Sequence, residues 1–282
     1  LAIYFSTLAF FIFSLLFIKS NNYKKIKIKN VSVIICVRNG QNSIKNVLND
    51  LKKQQFLGEI EFIIVDDDSN DKTKEIILEF SRLDSRFKYV HSNKGSKNLS
   101  FKKKAIDAGI KSSEFDYLLF TDVDCRVNKY WVASMMDNYK NPNINFIIGP
   151  SIVENSCVNF VSKFQHIDFF ILIMSSLSTS QLNFPLASTG QNQSYKRKLF
   201  NKIDGFSKIA NLLQGDDSIF LQLCKKNKIV KPMFSADLNS FTSSKEIISI
   251  KEFILQRIRW AADGKIMWKY NKFFYIILLS TL

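Results

Sequence analysis

Histidine is nearly missing from this chain. His91 and His166 are the only two in 282 residues, so a histidine-based triad has few candidates and acid–base work falls to carboxylates. The four cysteines, Cys36, Cys125, Cys157 and Cys224, lie far apart and form no C-x-x-C pair. That spacing leaves no zinc finger and fits a reduced, cytosol-facing protein with incidental thiols. Neither a Walker A loop nor G-x-G-x-x-G follows the first predicted strand, which counts against a kinase or a dinucleotide oxidoreductase. There is no internal repeat and no low-complexity linker. The aromatic signature of an RNA-binding module is absent too, so nucleic acid is not an expected partner. What the chain does have is positive charge, +15 from 40 Lys and Arg against 25 Asp and Glu. Lipid headgroups or a nucleotide diphosphate are anions it could attract, the plain alternative being an ordinary solvated lysine surface.

Hydrophobic residues make up 46% of the chain, enough for one large domain with a substantial core. Residues 1–18 carry no charge and are followed by Lys24, Lys25, Lys27 and Lys29. About 18 apolar residues can just span a bilayer, and the lysines after them put the downstream chain on the cytoplasmic side. A signal peptide is the rival reading, and no small-residue cleavage site follows. The predicted layout is a transmembrane helix over 1–18, a basic juxtamembrane stretch over 19–30, a domain over 31–268, and over 269–282 the start of a second membrane segment. Phe160 to Leu177 is apolar but interrupted by Lys163, Gln165, His166 and Asp168, which predicts a buried or interfacial amphipathic helix in place of a span.

Between the ends, the pattern alternates strand and helix. Val31 to Val37 is β-branched and apolar, Arg38-Asn39-Gly40 is a turn, and Ile44, Val47, Leu48 and Leu51 recur at helical spacing. Glu61 to Val65 predicts a second strand ending in Asp66-Asp67-Asp68, with a helix over 72–83 and a short strand over 87–90. This alternation predicts an α/β fold, a mostly parallel sheet flanked by helices, with ligand groups at the carboxyl ends of the strands. The most informative stretch is 115–125, an apolar run that stops in Asp122-Val123-Asp124. Taken alone it is either a solvated strand end or a site where a turn lets one carboxylate reach a metal and the other a hydroxyl.

The order of motifs decides between these. Asn39 in the first turn, Asp66-Asp67 after the second strand, Asp122-x-Asp124, Asp216-Asp217 and Gln256-x-x-Arg259-Trp260 stand in register. In that order they resemble the family 2 glycosyltransferases of GT-A fold, particularly the membrane-bound branch with Q-x-x-R-W that includes cellulose and hyaluronan synthases. The resemblance runs from Val31 to Trp260 and implies a role for each motif. Asn39 lies at the donor site, and one of Asp66 and Asp67 contacts the nucleobase, with Asp68 where the family has Gly. Lys102, ahead of Ala105-Ile106-Asp107-Ala108-Gly109, sits beside the nucleotide. Asp122 faces the sugar nucleotide and Asp124 holds a divalent cation, Mg2+ or Mn2+. Gly190-Gln191-Asn192 resembles the segment under the acceptor, which makes Gln191 and Asn192 candidates for substrate contact. Asp217 is the implied catalytic base with Asp216 beside it, although an aspartate there could equally be an N-cap for the next helix. Arg259 is implied at the diphosphate and Trp260 on the acceptor sugar, with Gln256, a further substrate-binding candidate, close to them near one helical turn, the alternative being an interfacial anchor.

Together these imply an inverting glycosyltransferase, anchored in the plasma membrane with its catalytic domain in the cytoplasm. It would move a sugar from a nucleotide-diphosphate donor, UDP-linked by expectation, to a polysaccharide or lipid-linked acceptor. Two rivals stay open: a non-catalytic sugar-nucleotide-binding subunit of the same fold, and a basic peripheral protein held electrostatically.

Overall fold

The structure is a computed structural model, which describes residues 30–154, 159–262 and 264–274 together with Phe5, Ser6, Ala9 and Phe13. The expected N-terminal span and basic stretch, apart from those four residues and Asn30, lie outside the described residues, as does the C-terminal segment beyond 274.

In chain order the elements are β1 (Asn30–Val37), α1 (Ile44–Lys52), β2 (Glu59–Asp66), α2 (Thr73–Leu83), β3 (Phe87–His91), α3 (Phe101–Ser112), β4 (Tyr117–Phe120), β5 (Cys125–Val127) and α4 (Trp131–Asp137). Then come β6 (Phe146–Ile148), β7 (Ser151–Val153), α5 (Phe160–Gln181), β8 (Gln193–Lys196), α6 (Arg197–Lys202), α7 (Ser218–Lys226), β9 (Pro232–Phe234), β10 (Thr242–Ser244), α8 (Ile250–Ala262) and α9 (Gly264–Tyr270). Strands alternate their side chains between faces, and β1 uses both. Val31, Val33, Ile35 and Val37 pack with α1 and with Trp131, Val132 and Met135 of α4, whereas Ile34 packs with Val65, Ala105, Ile106 and Phe120. Each such fully buried aliphatic is worth about 1.5–3 kcal/mol. The sheet is therefore a middle layer, covered on both sides as its apolar strands require.

Seven strands form that sheet in the order β3-β2-β1-β4-β8-β6-β9. β3, β2, β1 and β4 are parallel neighbours. β8 alone is reversed, antiparallel to β4 on one side and β6 on the other, and β9 runs parallel to β6. The reversal matters for function. Phe120 at the end of β4 pairs with Gln193 at the start of β8, so the residues just before β8 reach the same rim at which the parallel strands end. A smaller sheet, β5-β10-β7, holds the chain as it leaves the Asp122–Asp124 turn, closed by the Cys125 N–H donating to the Asp122 carbonyl at 3.2 Å. On the other side of β1, α3 lies so close that a Cβ at Gly109 would come within 2.6 Å of Ile34 Cγ2. The Ala-x-x-Ala-Gly spacing is what lets this helix sit on the strands.

α5 and α8 pair with each other in an unusual sense. Polar residues of α5 turn inward: Ser162, Gln165, Ser175, Ser178 and Thr179 are buried, Gln165 Oε1 accepts the Ile247 N–H at 2.9 Å, and Asp168 pairs with the Arg257 guanidinium of α8. Their apolar residues turn outward, with Phe164, Ile167, Phe170 and Ile171 of α5 and Ile250, Ile254, Leu255 and Ile258 of α8 exposed. α5 is also long and apolar enough to cross a membrane by length and composition, a property the expectation of an amphipathic helix did not include.

Candidate active site

The loops after β1 and β2 are tied into one unit. Asn39 sits at φ 53°, its N–H donates to Ser69 Oγ at 2.9 Å, and its side-chain oxygen accepts the Asn70 N–H at 2.9 Å. Gly40 and Gln41 donate to Thr73 Oγ1 and Asp71 Oδ2. Asp66 is turned inward, 3% exposed, accepting from the Ser69 N–H and the Tyr89 hydroxyl, so it braces the loop and leaves Asp67 half-exposed beside it. Asp68 adopts φ 55°, the left-handed turn that the resemblance assigns to Gly and that Asp tolerates better than most residues. Its carboxylate faces His91 Nε2 at 3.2 Å. Because His91 Nδ1 accepts the Asn93 N–H, the ring's proton is on Nε2, aimed at Asp68.

At the centre of the rim is Lys102, in the first turn of α3. Its Nζ lies 2.7 Å from Asp122 Oδ1 and 3.4 Å from Asp216 Oδ2. Burial works against the charge, yet Asp122 and Asp216 more than offset it, so the ammonium is held well above its ordinary pKa. Asp217 begins α7 and does cap it, Oδ1 accepting the Ser218 N–H at 2.5 Å, while Oδ2 accepts the Gly190 N–H at 3.2 Å. Burial first, and then the adjacent Asp216 charge, push its carboxyl up to about 7. A general base poised near neutrality is what proton abstraction from a hydroxyl calls for. Gly190 roofs the group: a Cβ there would lie 3.0 Å from Lys102 Nζ, 3.4 Å from Asp216 Oδ2 and 3.9 Å from Asp217 Oδ2. Cys36 of β1 and Thr121 line the same cleft, and nothing in their sequence context singled them out. Burial pushes the Cys36 thiol up, with the nearby Lys102 opposing it.

Asp124 stands at the outer edge of the turn. It is exposed, yet the protein mass around its carboxyl and, after it, the Asp122 charge hold it above the usual carboxylate range. Among the described residues, no three His, Cys, Asp or Glu side chains gather into a ready metal cage. One exposed carboxylate with a negative neighbour fits a cation that takes its remaining ligands from water and phosphate, as Mg2+ usually does.

The other predicted residues divide. Gln191 Oε1 accepts from Ser151 Oγ at 2.6 Å. Asn192 is 0% exposed, its amide between the Pro150 and Ser240 carbonyls and the Trp131 indole; it belongs to the frame beneath the rim, where an acceptor cannot touch it. Trp260 stacks on Arg257 at 4.4 Å and packs on Phe169 of α5. The neighbour of Gln256 that is engaged is thus Arg257. Among the described residues the Arg259 guanidinium makes no ion pair, but its carbonyl accepts from Gln214 Nε2 at 3.2 Å. Gln214 lies in the loop leading to Asp216, and that loop is also held by Lys103 Nζ on the Leu212 and Gln214 carbonyls. The carboxylates at 122, 216 and 217 therefore converge with Lys102, and Q-x-x-R-W is linked to them through the 212–214 loop.

The model of Glycosyl transferase family 2 matches residues 32–207, more than half the chain. A poly-beta-1,6-N-acetyl-D-glucosamine synthase of Staphylococcus epidermidis is 26% identical over 161 residues, 56% of this chain and 36% of that protein. Another, from Staphylococcus aureus strain MSSA476, is 25% identical over 149 residues, 52% of this chain and 34% of that protein. The chain thus spans about a third of the length of these curated relatives. Among solved structures, a mannosyltransferase of Pyrobaculum calidifontis in complex with GDP-Man and Mn2+ superposes with a TM-score of 0.66 at 16% identity, over 92% of this chain and 70% of that one. Glucosyl-3-phosphoglycerate synthase from Mycobacterium tuberculosis, in complex with phosphoglyceric acid, gives 0.51 at 13% identity, over 80% and 75%. At those identities the likeness speaks for an α/β GT-A-like fold and no further. With the family's sequence pattern running from the first strand past the reversed one, the chain belongs to glycosyl transferase family 2.

Proposed function

We propose that the chain transfers a sugar, with inversion, from a nucleotide-diphosphate sugar to a polysaccharide or lipid-linked acceptor, UDP being the expected nucleotide. The observation that supports this most is the rim cluster itself, with the high-pKa carboxyl of Asp217 beside the Lys102-bridged pair Asp122 and Asp216. Asp217 takes the proton from an acceptor hydroxyl, whose oxygen attacks the anomeric carbon from the face opposite the nucleotide in one in-line displacement. Asp67 and Asp122 orient the donor. Arg259, the Q-x-x-R-W cation still available to an anion, faces the leaving diphosphate. Asp124 is the residue that would hold Mg2+ or Mn2+; when bound, the ion would neutralise charge on the diphosphate. Incubating the purified full-length protein with a panel of UDP- and GDP-sugars, and analysing products by mass spectrometry, tests this directly. Neither transfer nor hydrolysis with any donor would remove the enzyme reading. Asp124→Ala is expected to weaken Mn2+-dependent binding of the accepted donor at least ~10-fold, and calorimetry showing undiminished affinity would take Asp124 out of the metal site.

The same proposal places the domain on the cytoplasmic face of the plasma membrane. Supporting this are the outward apolar side chains of α5 and α8, Phe170 63% and Ile258 60% exposed, which form a face of the kind that marks a membrane or partner surface. Lys163 of α5 and Lys251 of α8 are exposed on the same two helices, a complement to anionic headgroups. In reconstituted Trp260→Phe/Trp268→Phe protein, a probe introduced by Ile254→Trp is expected to be quenched by brominated acyl chains while the buried Trp131 is spared; probe emission equal to that in unbrominated lipid would exclude lipid contact at α8.

A further inference from the structure

Lys102 stands between two functions, and its surroundings decide which one it serves. Asp216 is 7% exposed, and its Oδ2 accepts no hydrogen bond. Lys102 Nζ at 3.4 Å is the cation facing that oxygen, while the same Nζ donates to Asp122 Oδ1 at 2.7 Å. Two carboxylates from distant parts of the chain, one after β4 and one before α7, thus share one ammonium. Without it, like charges would be forced together in a half-buried cleft. Gly190 closes over the ammonium, a would-be Cβ there lying 3.0 Å from Nζ.

We infer that Lys102 is a positioning residue, an internal counter-ion that holds Asp122 against Asp216 and so sets the gap between the Asp-x-Asp turn and Asp217, and that it is not a ligand of the donor's diphosphate. The inference rests on the proposed glycosyl transfer only for calling Asp217 a base. The ammonium already donates to Asp122 and is ion-paired with Asp216, and the pair it joins carries the two sides of the reaction, donor and acceptor. The charged and titratable groups around the cluster are Cys36 from β1, Asp67 after β2, Asp122 and Asp124 after β4, Tyr195 from β8, and Asp216. Among these Lys102 is the cation, and it draws the Asp217 carboxyl downward against burial and Asp216.

The test separates counter-ion from ligand. In full-length Lys102→Met, UDP with Mn2+ should bind within about threefold of wild type, because no phosphate contact is lost. Transfer should fall ~100-fold through loss of alignment, and the acid limb of the pH–rate profile should move up by about one pH unit. Carbon-13 titration of the Asp217 carboxyl, made without substrate, should show the same upward movement, and it remains readable if the wild type transfers no sugar and the enzyme reading fails. A loss of UDP affinity of tenfold or more with the Asp217 titration unmoved, as removal of a charge-assisted phosphate contact would give, overturns the inference. Should Lys102→Met fail to fold, Lys102→Gln removes the charge and keeps a polar head group beside Asp122. The same titration shift with UDP binding kept supports the inference, and an unmoved titration overturns it.

Discussion

Asp217→Asn should leave nucleotide binding within a few-fold of wild type and lower transfer by ~100- to 10,000-fold, the range attributable to a lost general base. The amide oxygen can still cap α7, for Asn and Asp are equivalent at that position, but the amide nitrogen replaces the oxygen that accepts the Gly190 N–H, so activity is read per folded molecule beside a melting curve. The pH dependence has a definite sign. With its carboxyl at about 7, Asp217 is in the proton-accepting form above neutrality, and kcat should fall about tenfold per pH unit below it. Folding stability moves the other way. A carboxyl raised from its unfolded value near 4 gives the native state the extra proton between about pH 4 and pH 7. Its contribution to stability is full below that window and is lost as pH rises through it. Thermal unfolding at several pH values should show this slope in the wild type and not in Asp217→Asn. An unchanged pH–rate profile in a fully active variant would remove Asp217 from the base role.

How much of this was legible in the residues depends on the range over which each signal acts. The strands and helices around β1, α1, β2 and α2 were readable because their periodicity is local, and observed limits such as 30–37 and 59–66 differ from the expected ones by one or two residues. The convergence of Lys102, Asp122, Asp216 and Asp217 was readable only as an order of motifs. No local rule says that an ammonium and two carboxylates more than a hundred residues apart in their extremes will meet. The reversal of β8 was not legible at all, since Gln193-Ser194-Tyr195-Lys196 is short and polar, and its direction is set by pairing with β4 and β6. The Q-x-x-R-W segment shows the limit most clearly. Helical spacing puts Phe253, Arg257 and Trp260 on one stripe, and it was the ion pair with Asp168, supplied by α5, that selected Arg257 for it.

Asn192→Ala should be among the most destabilising single substitutions in the domain, although a polar residue beside Gly190 reads in sequence as a substrate contact. Its Nδ2 donates to the Pro150 and Ser240 carbonyls, both at 2.7 Å, and its Oδ1 accepts the Trp131 indole N–H at 3.1 Å. Truncation strands the buried Ser240 carbonyl and the Trp131 indole N–H, each worth about 1–3 kcal/mol when left unsatisfied, and leaves the Pro150 carbonyl with the Thr242 N–H at 3.2 Å. It also opens a gap against Gly149, whose would-be Cβ lies 2.2 Å from Asn192 Cγ. Partial relaxation brings the expected total to about 3–5 kcal/mol, or about 10 °C in Tm for a domain of this size. Asn192→Asp should be no better, because it keeps the shape but sets an acceptor against two carbonyl acceptors. The consequence for function is indirect. Asn192 fixes the backbone that carries Gly190 over Lys102 and Asp217, so kcat per folded molecule should fall while the acceptor KM stays near that of the wild type. An acceptor contact would give the opposite pair of results, an unchanged Tm with a raised acceptor KM, and melting curves run beside acceptor titrations distinguish the two.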